Sequence, residues 1–168
     1  MKINSKLIPL VERQLNIEEY SSRVYYDMAN WCSFAGWKKA AEFYKERSEE
    51  ELTHRDKIAQ FLLDCSYPVN LKPIPVAEHK FSSLEDTITN GLTHEQKVSK
   101  AVLEVMSMAE ESGDENTEAF FHWFVNEQRE EEAIYTDLIS YANKIGLFSD
   151  APEWSKGMMR AQLEKRMM

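Results

Sequence analysis

Five glycines and five prolines punctuate a chain of 168 residues, and they fall at a handful of places. Between them lie long stretches rich in Glu, Lys, Ala, Leu and Met, which lose little freedom in a helix. That punctuation leaves room for four long helices and little else. The first is expected from about Lys6, after Ser5 as N-cap, to about residue 33. Gly36 marks a short turn, and the second helix covers about 37–65. Ser82-Ser83-Leu84-Glu85 reads as a capping box opening the third, over about 83–112. The fourth covers about 114–145 and stops at Gly146. Asp150 as a cap, with Pro152 in the first turn, signals a short fifth helix over about 152–166.

The connections set the topology. Short turns join the first helix to the second and the third to the fourth, so each pair is antiparallel. Between the second and third, residues 66–81 carry Pro68, Pro73 and Pro75. A helix of this length spans about 42 Å, and the extended connector reaches roughly 50 Å. It can therefore return the chain to the starting end of the bundle. The expected fold is all-α: a four-helix bundle with one long crossover, in a single domain over 1–168. A chain this long can bury a full core without disulfides.

The formal charge of −9 argues against nucleic-acid binding, which needs a basic stripe, and suits cations as ligands. The scattered glycines form no phosphate loop, and no apolar run approaches the roughly 20 residues of a membrane span. Pro9 and Glu12 interrupt the start where a signal peptide needs an apolar stretch, so a cytoplasmic location is expected. Cys32 and Cys65 suit that reducing compartment, make no zinc site, and lie too far apart in the expected bundle for a disulfide.

Steps of three and four residues give each helix a buried seam. The seams are apolar except near their middles, where Glu18, Glu51, His54, Glu95, Gln128 and Glu131 fall. Midpoints of bundled helices meet whichever way each helix runs, so four carboxylates and one imidazole converge. Buried together without a cation, the carboxylates would repel and lose hydration at a cost of several kcal/mol each. Such groups either take up protons or bind metal. Glu51-x-x-His54 has the spacing of di-iron carboxylate bundles, and oxygen ligands with one imidazole suit iron. The competing explanation is a metal-free polar network. Arg47 fits its seam least well, either at the edge with its head in water, as expected here, or paired with a core carboxylate. His94 is expected at the surface, and His79 and His122 have no evident partner.

Four segments in order carry a family likeness. They are Asn16-Ile17-Glu18-Glu19-Tyr20-Ser21-Ser22 with Tyr25, Glu50-Glu51-Leu52-Thr53-His54, His94-Glu95-Gln96, and Asn126-Glu127-Gln128-Arg129-Glu130-Glu131. Over about residues 6–145 the chain resembles the ferritin family, specifically the haem-free bacterial ferritins. The resemblance implies a ferroxidase that oxidises Fe(II), with O2 or peroxide as oxidant, and stores a ferric mineral in a homo-oligomeric cage of 24 subunits. It implies that Glu18 and His54 hold one iron, Glu51 bridges, and Glu95 and Glu131 hold the second, with Gln128 and Tyr25 beside them. It further implies a third iron at Glu50, Glu127 and Glu130, with Glu131 shared; the alternative for those three is a solvated acidic face.

Two departures matter. Bacterioferritins and rubrerythrins carry a second Glu-x-x-His, whereas here Ile134 stands three residues after Glu131. Bacterioferritins place a haem-binding Met after the bridging Glu, where this chain has Leu52, so no haem is expected. Asp114, Glu115 and Glu118 correspond to an iron inlet channel, or else stabilise the fourth helix's N-terminus. Met158, Met159, Met167 and Met168 are expected to pack at a subunit junction. The second functional reading is a catalytic di-iron oxidase or peroxidase, rubrerythrin-like, without mineral storage.

Overall fold

The computed structural model describes residues 1–77 and 80–168, so His79 lies outside the described residues. Helices α1 (Ile8–Phe34) and α2 (Lys38–Asp64) form one hairpin, and α3 (Leu84–Ser112) and α4 (Glu115–Lys144) form the other. A 3-10 turn (Glu153–Ser155) leads into α5 (Lys156–Arg166). The connector from Cys65 to Ser83 carries the chain from the end of the bundle that holds Leu7 and Phe121 to the end that holds Cys32 and Ala142. The result is a four-helix bundle with a crossover and a short C-terminal helix. Among the described residues, no helix is long and apolar enough to cross a membrane.

The helix starts differ from expectation for local reasons. Asn4, not Ser5, holds the chain before α1: its carbonyl accepts from Leu7 N at 2.9 Å and its Oδ1 from Lys6 N at 3.0 Å. The turn so formed delays the helix to Ile8, and Pro9 sets its first turn. At α3 the N-cap is Ser83, whose Oγ accepts from Asp86 N at 3.2 Å. Asp86 accepts from Ser82 N at 3.0 Å, so the N-cap sits one residue later than expected and the return bond goes to the residue before it. Glu85 is used elsewhere, accepting two bonds from Arg160 of α5 at 2.7 and 2.9 Å. Ser155 rather than Asp150 precedes α5, because Pro152 heads the 3-10 turn instead.

Helix α5 closes one end of the bundle. Glu164 accepts from Lys39 N at 3.0 Å and Ala40 N at 3.3 Å, the acceptor that Trp37 at the N-cap of α2 cannot provide. Leu163 and Met167 are buried in the bundle's own core, while Met158 and Met168 are exposed. The core is divided. One apolar cluster includes Tyr25, Met28, Tyr44, Ile88 and Tyr135; the other includes Val11, Leu15, Ile58, Val102 and Phe124. The buried polar residues Glu18, Glu51, His54, Glu95, Gln128 and Glu131 occupy the helix turns between the two clusters.

Candidate metal centre

Each long helix delivers its polar residue by the same means, a break in an otherwise apolar seam at mid-length. Glu18 lies between Leu15 and Ser22 on α1, and Glu95 between Gly91 and Val98 on α3. On α2, Glu51 and His54 share one face by their three-residue spacing, as Gln128 and Glu131 do on α4. All six are buried.

Glu18, Glu51 and His54 each offer one ligand atom within 4.8 Å of the others. His54 Nδ1 stands 3.2 Å from Glu51 Oε2 and 3.6 Å from Glu18 Oε2. The opposite nitrogen, Nε2, stands 3.6 Å from Glu127 Oε1, and Glu50, His54 and Glu127 form a second such group. One imidazole therefore links the buried layer to the half-buried Glu50 and Glu127. Glu130 is exposed and joins neither group among the described residues.

Glu95 and Glu131 lie in the same layer but are held by other partners. Glu95 accepts from the Tyr25 hydroxyl, and from Gln128 Nε2 at 2.9 Å. Glu131 receives Arg47 Nη1 at 3.1 and 3.2 Å, and Arg47 Nη2 reaches Glu50 at 2.5 Å. This corrects the expectation that Arg47 points into water; Glu131 on α4 faces it squarely, and two carboxylates outcompete solvent for the guanidinium. His94 is corrected too. It is buried, with Nε2 2.7 Å from Ser21 Oγ and its ring edge-on to Tyr25, because the small Ser21 leaves room for an imidazole between α1 and α3. The exposed His122 has Glu118 3.9 Å away.

Sequence reasoning missed Gln14. It is fully buried one turn before Glu18 and donates to Glu18 Oε1 at 2.6 Å. Its four-residue spacing from Glu18 was the available signal. With Oε1 so held, Glu18 Oε2 is buried without a hydrogen-bond partner among the described residues, with His54 Nδ1 3.6 Å away. An acceptor-only atom left in this way is what a cation site requires.

Burial pushes the Glu51 carboxyl well up; His54 opposes the shift, while Glu18 and Glu95 reinforce it. Burial likewise raises Glu131, against the pull of Arg47, and raises Glu127. Burial alone would lower the His54 imidazole, but Glu18 and Glu51 push it up to about 11. Two side-chain cations, His54 and Arg47, thus face carboxylates whose proton affinity burial has raised. A divalent ion placed among these oxygens would compete with protons for them.

Among the acidic residues at the start of α4, Asp114 has a structural task. It caps the helix by accepting from Thr117 N at 2.9 Å and tethers the N-terminal segment by accepting from Asn4 N at 2.7 Å. Cys32 and Cys65 are both free thiols, buried in opposite apolar clusters.

Comparison with known proteins places this geometry. The family model of the ferritin-like domain matches residues 8–145. The chain is 33% identical over 144 residues to the bacterial non-heme ferritin of Staphylococcus saprophyticus, covering 86% of each. It is 30% identical over 147 residues to the bacterial non-heme ferritin of Escherichia coli, covering 86% of this chain and 89% of that one. Among solved structures, the open pore ferritin of the hyperthermophilic archaeon Archaeoglobus fulgidus is similar with a TM-score of 0.89 at 28% identity, over 99% of this chain and 98% of that one.

Proposed function

The chain belongs to the ferritin family, and on that premise we propose that it is an iron-storing ferroxidase of the cytoplasm. Fe(II) is its substrate and a ferric mineral is its cargo, held in a homo-oligomeric cage of 24 subunits. Glu18 and His54 hold one Fe(II), Glu51 bridges the pair, and Glu95 and Glu131 hold the second. Gln128 and Tyr25 position Glu95. Each Fe(II) gives one electron, so the pair supplies the two electrons that an oxidant takes up with two protons: O2 leaves as hydrogen peroxide, or peroxide leaves as two waters. A third iron is held by Glu50, Glu127 and Glu130, with Glu131 shared.

The observation that carries this reading is the set Glu18, Glu51 and His54, with ligand atoms within 4.8 Å of one another and Glu18 Oε2 lacking a hydrogen-bond partner among the described residues. The nitrogen-poor ligand set, with Ile134 where a second histidine would complete a symmetric centre, suits ions passing through better than a resident pair. Initial Fe(II) oxidation rates test the assignment. Glu51→Ala and His54→Ala should each slow the first phase by about tenfold or more while leaving the assembled mass unchanged, since both side chains are buried within one subunit. Wild-type initial rates in both variants would overturn it.

A further inference from the structure

Glu50 and Glu131 are two of the four carboxylates assigned above to a third iron, and both are already engaged by one cation. Arg47 Nη2 stands 2.5 Å from Glu50 Oε2, and Nη1 stands 3.1 and 3.2 Å from the two oxygens of Glu131. A guanidinium stays charged at any working pH, and its planar fork matches paired carboxylates. It also lies over the Phe43 ring, 5.9 Å from the centroid. The remaining two donors differ: Glu127 faces His54 Nε2 at 3.6 Å, and Glu130 is exposed.

Arg47 also has somewhere to go. It lines a cleft of about 320 Å³ on the face between α2 and α4, walled by Phe43, Ile134 and Leu138. The same lining carries the carboxylates of Glu46 and Asp137. Arg166 lines the cleft as well, over the Tyr141 ring at 4.2 Å, so a guanidinium leaving Glu50 and Glu131 would share Glu46 and Asp137 with it, its aliphatic stem on apolar walls throughout.

We propose that Arg47 is the resident cation of the third site. Its guanidinium stands between Glu50 and Glu131, and a third metal ion binds only by driving it out toward Glu46 and Asp137. The inference rests on the ferroxidase reading, since it concerns the order in which that centre fills. The first ion, at Glu18, Glu51 and His54, owes nothing to Arg47. The third must displace it. Arg47 is thus a positioning residue that keeps the outer site closed until metal concentration is high enough to compete.

Calorimetric titration of the metal-free protein with Zn(II), which has no redox chemistry, separates binding from oxidation. The wild type is expected to take two ions tightly and a third weakly. Close charge pairs at interfaces commonly couple by tenfold or more in affinity. Arg47→Gln should therefore strengthen the third ion at least about tenfold, with the first changed by less than about threefold. Adding Glu50→Gln to that variant should return the third ion to weak binding. Third-ion affinity unchanged in Arg47→Gln overturns the proposal, and so does a gain that survives loss of Glu50. If Arg47→Gln does not assemble, Arg47→Lys serves, because one ammonium cannot hold both carboxylates as the fork does. That variant too must strengthen the third ion, and no change overturns the proposal. Fewer than two ions bound by the wild type would instead overturn the ferroxidase reading, and this inference with it.

Discussion

Replacing Glu95 by glutamine in the metal-free protein removes one charge from the buried layer while keeping its hydrogen bonds. Gln128 still donates to the remaining carbonyl oxygen, and the new amide donates to the Tyr25 hydroxyl, which can turn to accept. Burial pushes the Glu95 carboxyl from 4.5 up to about 7; Tyr25 and Gln128 oppose the shift, and Glu131 and Glu18 reinforce it. The folded state therefore binds the proton more tightly than the unfolded one. Stability from this group is fully present below pH 4.5 and is lost as pH rises to about 7. A shift of that size integrates to about 3 kcal/mol at neutral pH. At roughly 2–4 °C per kcal/mol for a chain of this length, Glu95→Gln should melt about 6–12 °C above the wild type at pH 7.5 in chelator. Near pH 4.5 the two should melt together. Glu95→Leu should show a smaller gain, because it leaves the Tyr25 hydroxyl without its acceptor at about 1–3 kcal/mol, while the Gln128 amide keeps the Glu95 carbonyl and Ser99 Oγ, each at 3.3 Å. Thermal unfolding of all three proteins across this pH range is the assay. A difference between Glu95→Gln and wild type that does not grow with pH would refute the reasoning.

Two further predictions concern the frame around the site. A Cβ at Gly91 would lie 2.7 Å from Cδ1 of Tyr135, whose ring fills the space that glycine leaves. Gly91→Ala should cost about 1–3 kcal/mol by overpacking, and an unchanged melting temperature would show that Tyr135 moves aside freely. Burial pushes Asp114 up, but hydrogen bonds from the Asn4 and Thr117 backbones hold it below its ordinary value. Its stabilising contribution is thus present above about pH 4 and lost in acid. Asp114→Ala should cost about 1–2 kcal/mol at pH 7 with the gap closing on acidification; a gap independent of pH would mean the carboxylate's charge contributes nothing.

What the residues reveal and conceal follows from range. The polar layer was readable because helices of nearly thirty residues carry a long periodic signal, and one glutamate in the α3 seam between Ile88 and Val102 is conspicuous against it. The N-cap of α3 falls a residue later because Glu85 is recruited by Arg160, 75 positions away, a contact no local rule contains. Arg47 was ambiguous for the same reason. Whether a long cation reaches water or a carboxylate depends on what the neighbouring helix presents, and here that is Glu131. Gln14 escaped notice because a glutamine one turn from a glutamate on an amphipathic helix ordinarily faces solvent. Its burial depends on the phase of α1 against the other helices.

Iron loading in air tests the central claim most directly. The metal-free protein is sized, supplied with Fe(II) in increments, and analysed for iron per subunit after removal of unbound metal. The account predicts a large assembly that retains far more iron than the eight assigned ligands of each subunit could bind directly, held as mineral. A low-mass oligomer that takes up two or three irons per subunit and then stops would contradict it, and would point to a di-iron catalyst acting on some other substrate.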